Sequence, residues 1–277
     1  MAYLELRGIS KSYVRNARSP AEAKGKLPVL CDVNLSIEEN EFVCVVGCSG
    51  SGKTTLISMI AGLMEPDHGE VLLEGKPIDG PGPDRGVVFQ NYSLLPWLTV
   101  FENVHLAVDA VAPCLAEAEK RERTEHYIRL VNLGAAMKKV PRELSGGMRQ
   151  RVAVARGLAM DPKVLLLDEP FSALDALTRA TLQEELGRIW MDTRKTVVMI
   201  TNDIDEAILL ADSIYTLMPG PGATLGAAVR VDTPHPRSRA QLGGAPGYQR
   251  VRRETVSLLV TAAKYHGGHG TPAQSGI

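Results

Sequence analysis

Residues 47–54 read Gly47-Cys48-Ser49-Gly50-Ser51-Gly52-Lys53-Thr54, a match to G-x-x-x-x-G-K-[ST]. Few short stretches restrict a fold so strongly, because this one works only between a buried strand and the start of a helix. Both flanks meet that condition. Phe42 to Val46 is a continuous apolar run, and Ile57, Ile60, Ala61 and Met64 recur at helical spacing. The glycines let successive backbone N–H groups turn toward an anion, and the helix start adds a favourable dipole. Lys53 would place a charge on the β and γ phosphates of a nucleotide, and the Thr54 hydroxyl would ligand Mg²⁺. Cys48 reads either as a tolerated loop residue or as a thiol beside the phosphates.

Val164 to Leu167 and Thr196 to Ile200 are also short apolar runs followed by helix-compatible sequence, the pattern of strands buried on both faces of a parallel sheet. The first run ends in Asp168-Glu169. Two acids leaving a strand are common, but beside a P-loop Asp168 reads as a Mg²⁺ ligand, direct or through water. Glu169 reads as the group that polarises attacking water. The expected fold is α/β: a P-loop NTPase (RecA-like) core, an antiparallel β subdomain and an inserted, mostly helical subdomain. Alternation at Leu4 and Leu6, and at Val33, Leu35 and Ile37, predicts the antiparallel strands. The polar stretch Arg15 to Pro28 between them predicts an exposed insertion loop. Glu117 to Arg129 is rich in helix formers. The expected division is 1–90 and 160–220 for the ATP-binding core, 91–159 for the helical subdomain and 221–277 for a C-terminal extension. Gly and Pro crowd the chain beyond Pro219. Weak helix is expected from about Arg252 to Lys264, then disorder over the last dozen residues.

Composition excludes several classes. Of the 277 residues 44% are hydrophobic and 23% charged, enough for a sizeable core. A net charge of -1 provides no field that would draw the chain to nucleic acid, and Arg250, Arg252 and Arg253 read as a solvated face. No apolar run is long enough to span a bilayer, and Met1 to Arg7 lacks the features of a signal peptide. Cys31, Cys44, Cys48 and Cys114 show no metal spacing. They are expected to be reduced cytosolic thiols, mostly buried as small hydrophobes.

Leu144-Ser145-Gly146-Gly147-Met148-Arg149-Gln150-Arg151 resembles the signature motif of the ABC ATPases. By residue type alone, Ser145 can cap a helix and the glycines admit an anion closely; an ordinary N-cap is the plainer reading. Other positions follow the family pattern in order. Tyr13 resembles the aromatic that stacks on adenine. Gln90, after Val87-Val88-Phe89, resembles the glutamine that senses the γ-phosphate and contacts Mg²⁺. Ser172-Ala173-Leu174-Asp175 resembles the loop that communicates across a dimer interface. The resemblance covers roughly residues 3 to 220. It implies nucleotide contacts from Tyr13, from Gly47, Cys48, Ser49, Gly50, Ser51, Gly52, Lys53, Thr54 and Thr55, and from Ser145, Gly146, Gly147 and Asp175. Metal contacts would come from Thr54, Gln90 and Asp168, and catalysis from Glu169, Asn202 and Gln90.

The same resemblance implies an ATPase of the translocase type that uses ATP and Mg²⁺. Two ATPase chains would bind head to tail, each ATP held between one chain's P-loop and the other's signature. They would drive two transmembrane permease subunits at the cytoplasmic face of the inner membrane. A periplasmic or lipid-anchored substrate-binding protein would act indirectly, and nucleic acid would play no part.

A narrower likeness is also present. Tyr92-Ser93-Leu94-Leu95-Pro96-Trp97-Leu98-Thr99-Val100 looks like the segment of importers for nitrate, sulfonates and taurine, near the groove for the membrane subunit's coupling helix. Trp97 there fits an interface or core packing equally. Asn202 to Ala207, the turn from Pro219 to Leu225, and Pro234 to Arg239 look most like nitrate-type ATPase subunits. The short form, without a fused substrate-binding domain, is the expected one.

One position departs from the pattern. Most members carry histidine where this chain has Asn202. Asparagine donates a hydrogen bond but takes up no proton. Either the site on this chain's own P-loop is slow, which suits a heterodimer with a competent second ATPase, or asparagine works nearly as well. An ATP-gated clamp that scarcely hydrolyses and a soluble ABC protein of DNA repair or translation are the competing readings. The coiled-coil insertions or basic arms expected of the latter are not evident in the sequence.

Overall fold

The computed structural model describes residues 2–14, 26–218 and 222–267. Strands β1 (Leu4–Val14) and β2 (Lys26–Ile37) form a long hairpin, followed by β3 (Phe42–Val46) and helix α1 (Lys53–Ile60). A second hairpin, β4 (His68–Leu73) and β5 (Lys76–Pro77), precedes β6 (Arg85–Val88). Helices α2 (Val100–Val111), α3 (Glu117–Leu130) and α4 (Gly146–Ala159) come next. The chain then alternates through β7 (Val164–Asp168), α5 (Ala176–Thr193), β8 (Thr196–Thr201), α6 (Ile204–Leu210) and β9 (Ser213–Thr216). It closes with β10 (Val229–Arg230), α7 (Arg239–Leu242) and α8 (Pro246–Gly267).

The strands make two sheets. One is antiparallel, in the order β2-β1-β4-β5. The other runs β10-β9-β3-β8-β7-β6, parallel from β9 to β6 with β10 added antiparallel at its edge. Strands β3, β7 and β8 are buried at every residue, which is why they read as unbroken apolar runs. One core layer lies between α1, the antiparallel sheet and one face of the parallel sheet. The other joins the opposite face to α2, α4, α5, α6 and the C-terminal helices.

Helix α1 ends where Gly62 enters the left-handed region (φ 74°), with Leu63 N–H bonded to Ser58 O across the end. Ala61 and Met64 therefore continue the apolar stripe past the helix rather than within it. Helix α2 begins at a capping box, in which Thr99 Oγ1 accepts from Glu102 N–H and Glu102 Oε2 accepts from Thr99 N–H. Just ahead of it Trp97 is 71% exposed, so it takes no part in the core.

Three expectations need correction. Lys26, Leu27 and Pro28 belong to β2, paired with Val14, Tyr13 and Ser12, so the loop is shorter than the polar composition suggested. Pro28 is tolerated because β2 is an edge strand; residues 15–25 lie outside the described residues. Of the cysteines only Cys44 is buried, and Cys31, Cys48 and Cys114 are exposed. Cys31 lies on the outer face of an edge strand and Cys48 in the phosphate loop, positions that composition does not reveal. The C-terminal helix starts at Pro246, earlier than expected, since proline suits a first helical position. Its buried face is Val251 and Thr255, with Leu258 and Leu259 packed beside them. Of the last dozen residues, read as a disordered end, His266 and Gly267 belong to α8; those from 268 onward, and the first part of the turn at 219–221, lie outside the described residues.

Arg237 ties this C-terminal part to the core. It is 8% exposed, and its guanidinium donates to the carbonyls of Ile208 (2.9 Å), Ala211 (2.7 Å), Val231 (3.2 Å) and Thr233 (2.7 Å). Burial pushes its pKa down to about 10, which leaves it charged at neutral pH. Arg237→Leu strands these carbonyls, and the expected loss is about 3 kcal/mol of stability. Urea denaturation checks it. A loss under about 1 kcal/mol would mean that water replaces the guanidinium at these carbonyls.

Candidate nucleotide site

In a parallel sheet, loops leaving the carboxyl ends of the strands share one edge. Here β3 lies beside β8, β8 beside β7 and β7 beside β6. The register sets Val46 opposite Thr201, Asp168 opposite Ile200 and Val88 opposite Leu167. The P-loop, Asn202, Asp168-Glu169 and Gln90 thus emerge side by side from segments far apart in sequence.

The P-loop geometry depends on its glycines. A Cβ on Gly47 would meet Ser51 Oγ at 2.8 Å and Leu217 O at 2.9 Å. Gly52 caps α1 at φ 96°, and a Cβ there would meet Val29 Cγ1 at 2.9 Å. The buried Lys53 ammonium donates to Gly47 O (2.9 Å), Cys48 O (2.9 Å) and Asn202 Oδ1 (2.6 Å), and lies 3.4 Å from Glu169 Oε1. Asn202 Nδ2 donates to the same Glu169 oxygen at 3.0 Å. The asparagine amide thus bridges lysine and glutamate, satisfied on both sides.

Glu169 has φ 44°, a left-handed conformation that costs a non-glycine residue about 1–3 kcal/mol. The turn lets Glu169 N–H bond to Ile200 O at 3.0 Å and carries the carboxylate from β7 toward Lys53. Gln90 Nε2 donates to Ser172 Oγ at 3.1 Å and sits 3.5 Å from Glu169 Oε2. Thr54 Oγ1 donates to Asp168 Oδ1 at 3.4 Å. Burial, and then the charge of Glu169, hold the Asp168 carboxyl above the usual carboxylate range. Tyr13 Oη lies 3.3 Å from Thr55 Oγ1. A cavity of about 470 Å³ runs from Tyr13 over the P-loop to Gln90 and Glu169, within the usual range for small-molecule sites.

Thr54, Asp168 and Gln90 offer a hydroxyl, a carboxylate and an amide carbonyl. An all-oxygen set of this kind suits Mg²⁺, which completes its shell with water and substrate phosphates.

The remaining residues read from the sequence are not brought to this cavity. Ser145 caps α4, its Oγ accepting from Met148 N–H at 3.3 Å. Asp175 caps α5 by accepting from Thr178 N–H at 3.0 Å, a bond that holds its carboxyl below the usual range. Ser145, Gly146, Gly147 and Asp175 do not line the cavity that holds Lys53. Gly147 also has a packing reason that the sequence did not disclose: a Cβ there would meet Thr178 Cγ2 at 2.4 Å. Ser172, as Gln90's partner, and Glu206, buried and bonded to Thr201 and Gln183, were missed as well. A glutamate amid the apolar residues of α6 was the available signal for the second.

A parallel sheet whose strand ends gather a phosphate loop, two acids and a glutamine defines a P-loop NTPase of the ATP-binding cassette kind. Residues 30–172 match the family model of the ABC transporter, and the chain belongs to that family as an ATP-binding ATPase. It is 52% identical over 236 residues to the bicarbonate transport ATP-binding protein CmpD of Synechococcus elongatus, covering 85% of each chain. It is 49% identical over 236 residues to that organism's nitrate import ATP-binding protein NrtD, covering 85% of this chain and 86% of that one. Among solved structures, the ATP-binding cassette MJ0796, dimeric in a post-hydrolysis state with ADP and Pi, matches with a TM-score of 0.71 at 31% identity. The match covers 83% of this chain and 99% of that one. Among the described residues no helix is long and apolar enough to cross a membrane.

Proposed function

We propose that this chain binds Mg–ATP between its own P-loop and the signature of a second ATPase chain, and that hydrolysis there drives import of a small inorganic anion through two membrane-spanning partner subunits. The observation that carries the reading is the separation within one chain: Lys53 and Glu169 line one cavity, and Ser145, Gly146 and Gly147 are no part of its lining. A second chain would supply the missing half, and the solved MJ0796 cassette is dimeric. Relatives named for bicarbonate and nitrate support the class of cargo. The chain would then sit at the cytoplasmic face of the inner membrane, with a substrate-binding protein on the far side acting indirectly.

In this reading Tyr13 stacks on adenine and the P-loop amides hold the phosphates. Lys53 exchanges Asn202 and Glu169 for γ-phosphate oxygens. Thr54, Asp168 and Gln90 would hold Mg²⁺, which neutralises phosphate charge when bound. Glu169, released from Lys53, orients and polarises the attacking water. Ser145, Gly146 and Gly147 would meet the γ-phosphate held on the partner chain, with Asp175 beside the interface. The test is to tag the full chain, extract it in mild detergent and identify what co-purifies. A multi-span protein in fixed ratio is the expected result, with anion uptake lost when the chain is deleted. The absence of any membrane partner would sink the reading.

Asn202 favours a second ATPase chain that differs from this one. Its amide can bridge Lys53 and Glu169 but takes up no proton from the reaction. Asn202→His is therefore expected to raise hydrolysis at this chain's own P-loop, read with the second ATPase's P-loop lysine replaced, by about three- to tenfold. An unchanged kcat would mean that asparagine serves as well as histidine, and the slow-site idea would fail.

A further inference from the structure

The C-terminal helices reach the turn that carries Asn202 from two directions. On the exposed side, the Tyr248 hydroxyl and Arg252 Nε, both on α8, donate to Asp205 Oδ1, each at 2.9 Å. Asp205 stands in the first turn of α6, and its N–H donates to Asp203 Oδ1 at 2.9 Å. On the buried side, Arg239 donates through Nε and Nη2 to Gln183 Oε1 at 2.9 and 2.6 Å. Gln183 Nε2 passes the contact on to Glu206 Oε1 at 2.7 Å. The other Glu206 oxygen accepts from the Thr201 hydroxyl, which in turn accepts from Asp203 N–H at 3.0 Å. Gln183, Glu206 and Thr201 are 0%, 3% and 4% exposed, so beyond the exposed Arg239 the relay is sealed from solvent. Both routes end on Thr201 to Glu206, the stretch that holds Asn202 against Glu169. Arg252 also lines a cavity of about 480 Å³ together with Asn202 and Glu169. All of these residues except Glu169 lie beyond residues 30–172, the part matched by the family model.

We propose that Arg239, Tyr248 and Arg252 are positioning residues for ATP hydrolysis, which fix the Thr201–Glu206 turn and so set Asn202 against Glu169. The proposal rests on the reading that Asn202 serves the hydrolytic step. The three residues act through that turn, not on nucleotide, so their loss should lower kcat and spare nucleotide binding. A purely structural role makes a different forecast, because an exposed ion pair such as Arg252–Asp205 adds little to stability.

The test uses the full chain in the complex with which it co-purifies, the second ATPase's own P-loop lysine replaced so that hydrolysis reports this chain's site. Tyr248→Phe combined with Arg252→Ala is expected to lower kcat about five- to tenfold, with KM for ATP within about twofold. Arg252→Lys should recover most of the activity. Arg239→Lys, which keeps the charge but loses the two-pronged donation to Gln183, should lower kcat through the buried route. Made in an Asn202→Ala background, the Tyr248 and Arg252 changes should add nothing further, because the residue they act through is gone; single-turnover hydrolysis extends the cycle to slow variants. A parental kcat in the double variant, or the same fold-loss with and without Asn202, would overturn the proposal. Asn202→Ala with parental kcat would instead overturn the reading of Asn202, which the double variant alone does not address.

Discussion

Glu169→Gln should leave ATP bound but almost unhydrolysed at this chain's own P-loop, where the rate falls by about 10²- to 10⁴-fold. The substitution keeps the size of the side chain and its place at the end of β7, where Lys53, Asn202 and Gln90 converge on it. What it removes is the charge that, in the proposed mechanism, polarises the attacking water. It also weakens the hold on Lys53, which lies 3.4 Å from Glu169 Oε1. A lysine less engaged by the protein is freer for phosphate, so ATP affinity should hold or rise while turnover collapses. Equilibrium binding of ATP and hydrolysis, measured on an assembled preparation in which the second ATPase's own P-loop lysine is replaced, check both halves at this chain's site. A fall in turnover of less than about tenfold would move the role of base to another group.

The largest effect on stability is expected from Gly69→Ala. Gly69 has φ 84°, and a Cβ there would lie 2.3 Å from Arg7 O and 2.5 Å from Gly8 O. The obstacle is backbone of β1 at the irregularity between Arg7 and Ser10, so no side chain can turn aside. Left-handed strain and overpacking, at about 1–3 kcal/mol each, give roughly 4 kcal/mol together. That is a fall of roughly 10 °C in Tm. Gly75→Ala is the matched control: its φ is 74° but nothing lies within 4 Å of a Cβ. About 1 kcal/mol is expected there, from strain alone. Equal losses in the two variants would show that the contact with β1 is relieved by a backbone shift.

What could be read from the sequence was local. Phe42 to Val46, the P-loop and the head of α1 lie within one short stretch, and each supports the reading of the next. Val164 to Asp168 and Thr196 to Thr201 announce themselves because strands buried on both faces have no polar alternation. Other features depend on distant partners and left little trace. Gly147 resembles a residue for anion approach, yet the space it vacates is filled by Thr178 from α5. Helix α8 hides behind Gly and Pro, and its buried face gains meaning only once β9, β10 and α6 are in place. That Lys53 is held by Asn202 and Glu169 is likewise a matter of strand order, which no local pattern reports.

The same strand order has a consequence during synthesis. β3 pairs with β8 and β9, and its first such partner, Val197, lies about 150 residues downstream of Val46. At about 5–20 residues per second, a ribosome takes roughly 8–30 s to cover that distance. Through that interval Phe-Val-Cys-Val-Val, uncharged and free of Pro and Gly, has neither neighbour to pair with. The strand that leads into the phosphate loop therefore waits without its sheet neighbours as the nascent chain emerges, and the nucleotide pocket can close only after nearly three-quarters of the protein has been made.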